Sequence, residues 1–202
     1  YNFYKSTKMA TQNKLWAGMA KETAHQIGTP LTSLVGWVEI LKSENVDEAT
    51  TNEIEKDIER LQTITDRFSK IGSEPKLENK DIIEETQKSY DYLQSRFSKQ
   101  IEFSFTGPSA PVIVLFNPTL HSWTIENLVK NSIDAMKGRG KLALEVLHEG
   151  GLVKINISDT GNGIPKNQFK SVFEPGFTTK KRGWGLGLSL TKRIVEEYHK
   201  GT

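Results

Sequence analysis

The sequence predicts an α+β fold in two parts. An antiparallel helical hairpin, which would form a four-helix bundle in a dimer, precedes an α/β sandwich of mixed sheet and helices. Apolar residues recur at intervals of four and three over the first third of the chain, as in packed helices. Turn-forming residues at 73–76 break this pattern. Beyond them, helix-like and strand-like runs are mixed, which favours a sheet covered by helices.

The hairpin is predicted within residues 1–72. A first helix from about Lys8 to Ser43 and a second helix ending near Ile71 flank a polar patch that should reverse the chain. The two apolar seams comprise Ile27, Leu31, Leu34, Val38 and Leu41, and then Ile54, Ile58, Leu61, Thr65 and Phe68. Two narrow seams do not make a stable core alone, so dimerisation through residues 1–72 is the simplest arrangement. A hairpin docked on its own second domain is the alternative.

One histidine stands out on the first helix. His25 lies two residues before Ile27, so at about 100° per residue it points away from the seam and should be exposed. Pro30 removes the amide that would bond the Gln26 carbonyl, which predicts a bend one turn after the histidine. Gly28 weakens the same turn. A helix that served packing alone would avoid glycine and proline there.

The second domain, residues 73–202, is predicted to hold three helices and four strands. In chain order they are a helix over 81–97, strands over 101–105 and 112–115, a helix over 118–136, strands over 141–147 and 152–157, and a helix over 188–198. The last two strands flank Glu149-Gly150-Gly151, a hairpin signal. The helices are predicted to cover one face of the sheet.

Composition excludes several classes of protein. The 202 residues carry a net charge of +2, with −1 on residues 1–72 and +3 on residues 73–202, so neither part has the basic bias of a nucleic-acid or membrane-surface binder. Cysteine is absent, which removes disulfides and fits a reducing compartment. No apolar run approaches the roughly 20 residues that span a bilayer. We expect a cytoplasmic segment of a longer protein, whose membrane anchor, if it has one, lies upstream.

The helix over 118–136 carries a polar face. Asn127, Lys130, Asn131 and Asp134 are spaced by three and four residues and therefore share one side. Amide oxygens coordinate hard cations and an ammonium meets phosphate charge, so this face suits a magnesium–triphosphate. Taken alone, this polar face is better explained as a solvated helix face.

A first glycine loop follows the strand over 152–157. It contains Asp159, Gly161 and Gly163. The carboxylate is suited to accept a hydrogen bond from an adenine amino group, while the glycines let the backbone turn tightly beneath the base. Such a turn is common, so the signal is weak by itself.

A second glycine loop opens the last helix, where backbone amides and the helix N-terminus favour phosphate. The segment over 166–182 precedes it, is basic at its end and is predicted to form a lid. A lone glycine-rich loop is a weak signal. The candidate nucleotide-binding residues of lid and loop are Thr178, Thr179, Gly183, Gly185, Leu186, Gly187 and Leu188.

Five segments, in their order along the chain, resemble the catalytic core of a two-component sensor histidine kinase. They are the histidine segment, the asparagine-rich helix, the first glycine loop, the run from Phe173 to Phe177 and the second glycine loop. The resemblance runs from Leu15 to His199. It implies a dimerisation and histidine phosphotransfer hairpin, residues 1–72, followed by a Bergerat-type ATP-binding domain. ATP and Mg²⁺ are the implied cofactors, and an aspartate on a response-regulator receiver domain is the implied acceptor.

The resemblance also implies roles for single residues. His25 would be the phospho-accepting nucleophile, Asn131 the magnesium ligand and Lys130 a phosphate contact. Asp159 would read adenine. The loops around the nucleotide would be shaped by Gly161, Gly163, Gly183, Gly185 and Gly187.

Gln26 departs from the family pattern. Many members carry there a carboxylate that is thought to take the imidazole proton. Gln26 cannot act as a base, though its amide oxygen can orient the ring N–H. Either autophosphorylation is slower, or a base is supplied elsewhere, solvent included. Thr29 stands where the family positions a water for dephosphorylating the receiver, which implies phosphatase activity.

Asn127 bears on the reaction type. Related Bergerat-fold ATPases, such as gyrase and the large heat-shock chaperones, place a glutamate there to activate water, and an amide cannot do so. The expected function is autophosphorylation of His25 and transfer to a response regulator. The alternative is an ATP-binding module that acts mainly as a response-regulator phosphatase. His121 is predicted to cap or pack, and His199 to lie at the surface.

Overall fold

The computed structural model describes residues 2–44, 46–71, 75–97, 100–180 and 185–202. The chain divides into two compact units, residues 1–75 and residues 76–202. The first is a pair of helices and the second a mixed sheet with helices, so the predicted fold class is confirmed. Among the described helices, none is both long and apolar enough to cross a membrane.

The first unit consists of α1 (Asn2–Ser43) and α2 (Glu48–Ile71). Helix α1 begins six residues before the predicted start and continues through Pro30. The Asp47 carboxylate caps α2, since it accepts bonds from the Thr50 amide and hydroxyl at 2.9 and 2.8 Å. These two bonds lower the pKa of Asp47. Near the turn, Lys42 Nζ lies 2.5 Å from Glu55 Oε1 and links the two helices.

Only half of each predicted seam is buried within one chain. The buried seam positions are Leu31 and Val38 on α1 and Ile58 and Thr65 on α2. Ala24 and Thr51, which lie outside the predicted seams, are also buried and extend a spacing of seven residues on each helix. Among the other predicted seam positions, Leu41 is half-buried. The exposed fraction is 40% at Ile27, 43% at Leu34, 37% at Ile54 and 44% at Leu61. Two helices contact along one line, so a second apolar line on each helix faces outward. The side chain of Phe68 lies outside the described residues.

The second unit contains five strands and four helical elements longer than three residues among its described residues. In chain order these are β1 (Glu78–Asp81), α3 (Ile82–Arg96), β2 (Ile101–Thr106), β3 (Ile113–Phe116), α4 (Pro118–Ala135), β4 (Gly140–Glu149), β5 (Leu152–Asp159), α5 (Gly187–Arg193) and a π-helical turn (Ile194–Tyr198). The sequence did not predict β1, because its four residues are all polar. Asp81 explains it: its carboxylate accepts the amides of Ile83 and Val112 at 3.1 and 3.0 Å.

The described strands form two sheets, and the larger one is mixed, as predicted. In the two-stranded sheet, β1 pairs antiparallel with β3. In the other, β4 runs parallel to β2 and antiparallel to β5. Strand β4 buries alternate residues, Leu142, Leu144 and Val146, in one core with apolar residues of α3 and α4. This core fixes α4 and the end of β5, the two elements that carry most of the candidate site.

The start of α4 is held by buried polar contacts. Asn117 caps the helix through Oδ1, which accepts the Leu120 amide at 2.9 Å, and its own backbone amide donates to His199 Nε2 at 3.2 Å. The Thr86 hydroxyl donates to the Ile82 carbonyl at 2.6 Å, so the 2.8 Å contact with His121 is an Nε2–H donated to Thr86.

Of the two histidines in these contacts, His121 has one of its two predicted roles, packing, whereas the surface position predicted for His199 is wrong. His121 packs in the interior and does not cap the helix, since Asn117 does so. His199 is half-buried instead of lying at the surface. Burial lowers the pKa of both rings, to about 3 for His121, where the neighbouring His199 also contributes.

Candidate active site

The polar face of α4 gathers Asn127, Asn131 and Asp134, as the spacing predicted, and Lys180 meets it from the segment before the second glycine loop. Lys180 Nζ lies 3.1 Å from Asn131 Oδ1 and 2.5 Å from Asp134 Oδ2. The Lys180 backbone amide also donates to Thr178 Oγ1 at 3.1 Å. The ammonium therefore occupies the side of α4 where two oxygens converge.

Helix α5 begins directly against this face. A Cβ atom built on Gly187 would lie 3.9 Å from Asn127 Oδ1 and 3.9 Å from Asn131 Nδ2. The Asn127 Nδ2 atom is buried and has no hydrogen-bond partner among the described residues. A buried amide without a partner is costly, so the site has polar capacity that its own side chains do not use.

The first glycine loop leaves β5 and returns at once to the end of α4. The Asp159 carboxylate is exposed and accepts the Gly161 amide at 2.9 Å. A Cβ on Gly161 would lie 2.8 Å from the backbone carbon of Ala135, closer than real Cβ contacts allow. Glycine is therefore required here by close approach, and the carboxylate is presented at the end of a strand beside α4.

The second glycine loop is locked to the segment that precedes it. Gly185 has a φ of 64°, and a Cβ on it would lie 2.5 Å from the Gly176 backbone. The Gly176 amide donates to the Gly185 carbonyl at 3.0 Å. Both the left-handed backbone and the contact require glycine. Gly183 lies outside the described residues.

The remaining predicted residues surround this core of the site. Lys130 turns to Glu126 one helical turn back, with Nζ 2.6 Å from Oε1, so it does not join Asn131 and Asp134.

The other predicted residues belong to the glycine loops and the segment between them. Gly163 has a φ of 67° in the exposed end of the first loop. Thr179 is exposed, whereas Leu186 and Leu188 flank Gly187 and are half-buried.

The donor set fits a magnesium ion that arrives with phosphates. Among the described residues, no group of three or more histidine, cysteine, aspartate or glutamate side chains could hold a metal. Mg²⁺ is usually bound by few protein oxygens together with substrate phosphates and water. Asn131 Oδ1 and Asp134 Oδ2 already hold one cation, the Lys180 ammonium. Lys180 thus marks where positive charge is stabilised.

The exposed histidine stands on α1 with three polar neighbours on the same side. Gln26 Nε2 donates to Glu22 Oε1 at 2.9 Å. The Thr29 hydroxyl is 3.4 Å from the His25 carbonyl oxygen. The side chains of Glu22, His25, Gln26 and Thr29 are all exposed, as predicted for His25.

Sequence reasoning missed two residues of these sites. In the sequence, Lys180 is only one residue of a basic run, because its partners lie 46 and 49 positions earlier in the chain. Glu22 was missed although its spacing of four from Gln26 is the ordinary signal for a pair on one helix face.

Two families of known proteins match the chain. The family described as His Kinase A (phospho-acceptor) domain matches residues 16–74. The family described as Histidine kinase-, DNA gyrase B-, and HSP90-like ATPase matches residues 120–202. The first match contains the segment around His25, and the second contains α4 from its third residue onward, both glycine loops and α5.

The chain is also similar to a curated protein over nearly its whole length and to a solved catalytic domain over part of it. Sporulation kinase D of Bacillus subtilis (strain 168) is 29% identical over 206 residues, which cover 96% of this chain and 40% of the relative. The chain spans less than half the length of the curated relatives it matches. The solved catalytic domain of histidine kinase ThkA is 28% identical, with a TM-score of 0.58 over 62% of this chain and 84% of that one.

A second solved structure extends the likeness of fold to nearly the whole chain. Histidine kinase ThkA in complex with the response regulator protein TrrA aligns with a TM-score of 0.59 at 24% identity. The alignment covers 98% of this chain and 60% of that one.

Proposed function

Because this chain belongs to the sensor histidine kinases, as a phospho-acceptor hairpin joined to an ATP-binding domain, we propose that it phosphorylates His25 from Mg-ATP and passes the phosphoryl group to an aspartate of a response regulator. The observation that carries the proposal is the meeting of Asn131, Asp134, Lys180 and the start of α5 on one face of α4. An exposed histidine on the other unit supplies an acceptor.

The reaction follows from the chemistry of imidazole. In the neutral ring one nitrogen carries a proton and the other a lone pair. The lone pair attacks the γ-phosphorus, an N–P bond forms, and the bond to the β–γ bridging oxygen breaks, so that ADP leaves with the electron pair. The ring then gives up its proton. The resulting phosphoramidate is reactive enough to phosphorylate a carboxylate.

The α4 face would bind and orient the nucleotide. Asn131 is proposed as a ligand of magnesium, which when bound damps phosphate charge. Lys130 and Lys180 are proposed to contact phosphate, and Asp159 to accept a hydrogen bond from the adenine amino group. Each glycine loop brings backbone close to the nucleotide. Asn127, an amide, has no basic group with which to activate water, which favours transfer over hydrolysis.

A homodimer through residues 1–72 is proposed from the hairpin. Ile27, Leu34, Ile54 and Leu61 form an outward apolar line seven residues apart on each helix, and a second copy would bury it as a four-helix bundle. A response-regulator receiver domain is the proposed partner. The solved complex of a kinase of the same fold with a response regulator protein supports it.

A second function is favoured by two features of the histidine segment. Thr29 lies one turn after His25 and is exposed, and it is proposed to orient a water toward a phosphoaspartate. Gln26 beside the histidine is not a base. Both features favour an ATP-binding module that acts mainly as a phosphatase toward the response regulator and has weak autokinase activity.

Labelling with γ-³²P-ATP tests the proposal. We expect acid-labile, base-stable label on the wild-type protein and none on His25→Ala, while both bind nucleotide equally. His148→Ala, which removes an exposed histidine of the second unit, is the matched control and should label normally. If the wild-type protein binds ATP but acquires no label, the phosphatase function is favoured. If free phosphate is the only labelled product, the protein is an ATPase. Undiminished label on His25→Ala would overturn the assignment of His25 as acceptor.

A further inference from the structure

We propose that Glu22 supplies the carboxylate that accepts the proton of His25 during phosphorylation, and that Gln26 holds it in place. The proposal rests on the proposed function, because it concerns the same acceptor. It assigns to this chain a proton acceptor one turn before the histidine, on the same helix face as His25 and Gln26.

The geometry of α1 brings the three side chains together. Residues 22, 25 and 26 lie within the unbroken helix Asn2–Ser43. Side chains three and four positions apart are neighbours on a helix surface, with Cβ atoms about 5–6 Å apart. Glu22 precedes His25 by three positions and Gln26 by four. All three are exposed, so each is accessible to an incoming nucleotide.

The contact between Glu22 and Gln26 determines where the carboxylate sits. Gln26 Nε2 donates to Glu22 Oε1 at 2.9 Å, which orients the carboxylate along the face that carries the histidine. A carboxylate has two oxygens and about four acceptor sites. Accepting one amide hydrogen therefore leaves capacity for an imidazole N–H.

The proton released in the reaction gives such a group a role. As the N–P bond forms and ADP leaves, the ring carries both the phosphoryl group and the original N–H and is therefore positively charged. A carboxylate stabilises that charge and takes the proton, which it then releases to solvent, leaving neutral phosphohistidine. An amide stays neutral and cannot take the proton, so Gln26 positions and Glu22 accepts.

Four variants of the whole chain test this assignment. Glu22→Gln keeps size and removes the base. Gln26→Glu places a carboxylate directly beside the histidine. The double variant Glu22→Gln/Gln26→Glu asks whether that second carboxylate restores the reaction. Glu39→Gln, at another exposed glutamate of α1, is the matched control. Initial rates of His25 labelling are measured over a range of ATP concentrations, with melting curves to establish folding.

We expect Glu22→Gln to lower kcat on the order of 10²-fold, with the KM for ATP and the melting temperature unchanged. Glu39→Gln should retain the wild-type rate, and the double variant should recover most of the lost rate. A structural role for Glu22 would not be rescued by a carboxylate at position 26.

A kcat for Glu22→Gln within about twofold of the wild type would overturn the proposal while leaving the kinase function intact. The same holds for a lowered kcat that the double variant does not restore. If the wild-type chain binds ATP and acquires no label on His25, the proposed function fails, and the role of Glu22 fails with it. These outcomes are distinguishable in one set of reactions.

Discussion

The Lys180 ammonium lies 2.5 Å from the Asp134 carboxylate and also contacts Asn131, the proposed magnesium ligand. It connects the segment before the second glycine loop to α4 across 46 residues of sequence. A bound magnesium ion would compete with this ammonium for the same oxygens. Without nucleotide, the contact tethers the segment.

Lys180→Met should loosen this tether. An exposed ion pair contributes up to about 1 kcal/mol, so the amides of residues 176–178 should exchange about two- to fivefold faster in the nucleotide-free protein. Hydrogen exchange followed by mass spectrometry measures this. Lys88→Met, which removes an exposed lysine paired with Glu84 and Glu85 within α3, should leave that exchange unchanged. Equal rates in wild type and Lys180→Met would contradict the tether.

Asn131→Ala should weaken nucleotide binding when magnesium is present. An interaction with a charged group contributes about 1.5–3 kcal/mol, so the Kd of Mg-ATP should rise about tenfold to a hundredfold. Titration calorimetry with and without EDTA gives the measurement, and the variant should show little difference between the two. Asn79→Ala, at an exposed position of β1, serves as control. A variant that keeps the wild-type response to magnesium would exclude Asn131 as a ligand.

Acid should destabilise the second unit through His121. Burial lowers the pKa of this ring to about 3, whereas an exposed imidazole titrates near about 6.5. Between these values the unfolded chain binds more protons than the folded one. The stabilisation is therefore complete above pH ~6.5 and is lost as the pH falls, by up to about 1.4 kcal/mol per unit.

Urea denaturation at pH 7, 6 and 5 measures this slope. His121→Phe should flatten it, leaving the smaller contribution of His199, whose pKa burial also lowers. His148→Phe, at an exposed site, should retain the wild-type slope. If the free energy of unfolding depends on pH with the same slope in His121→Phe and wild type, His121 is not the source of that dependence.

Leu34→Glu should oppose association of two hairpins. Leu34 is 43% exposed in the single chain, and in a two-fold dimer the substitution would appear twice in one interface. A carboxylate there would have to lose water or keep the helices apart, so the dimer Kd should rise at least about tenfold. Sedimentation velocity tests this. Leu152→Glu, at an exposed leucine of β5, is the control and should sediment like the wild type. If Leu34→Glu dimerises with undiminished affinity, the dimer interface does not include the hairpin.

Most of the fold was predictable because periodicity is a local property. The spacing of apolar residues gave both helices of the hairpin, and alternation around Gly150-Gly151 gave β4 and β5. Strand β1 was not predictable in this way. Its polar residues become a strand through pairing with β3 and the bonds of Asp81 to Ile83 and Val112.

The sequence by itself determined the helix periodicity, the polar face of α4, the exposure of His25 and the glycines of both loops, because each depends on residue type and on spacing within a few positions. Only the tertiary structure decided which cation meets Asn131 and Asp134. Lys130 is adjacent to Asn131 in sequence but pairs with Glu126, whereas Lys180 arrives from 49 residues away. Spacing fixes the direction in which a side chain leaves its helix, while its partner depends on which distant segment packs there.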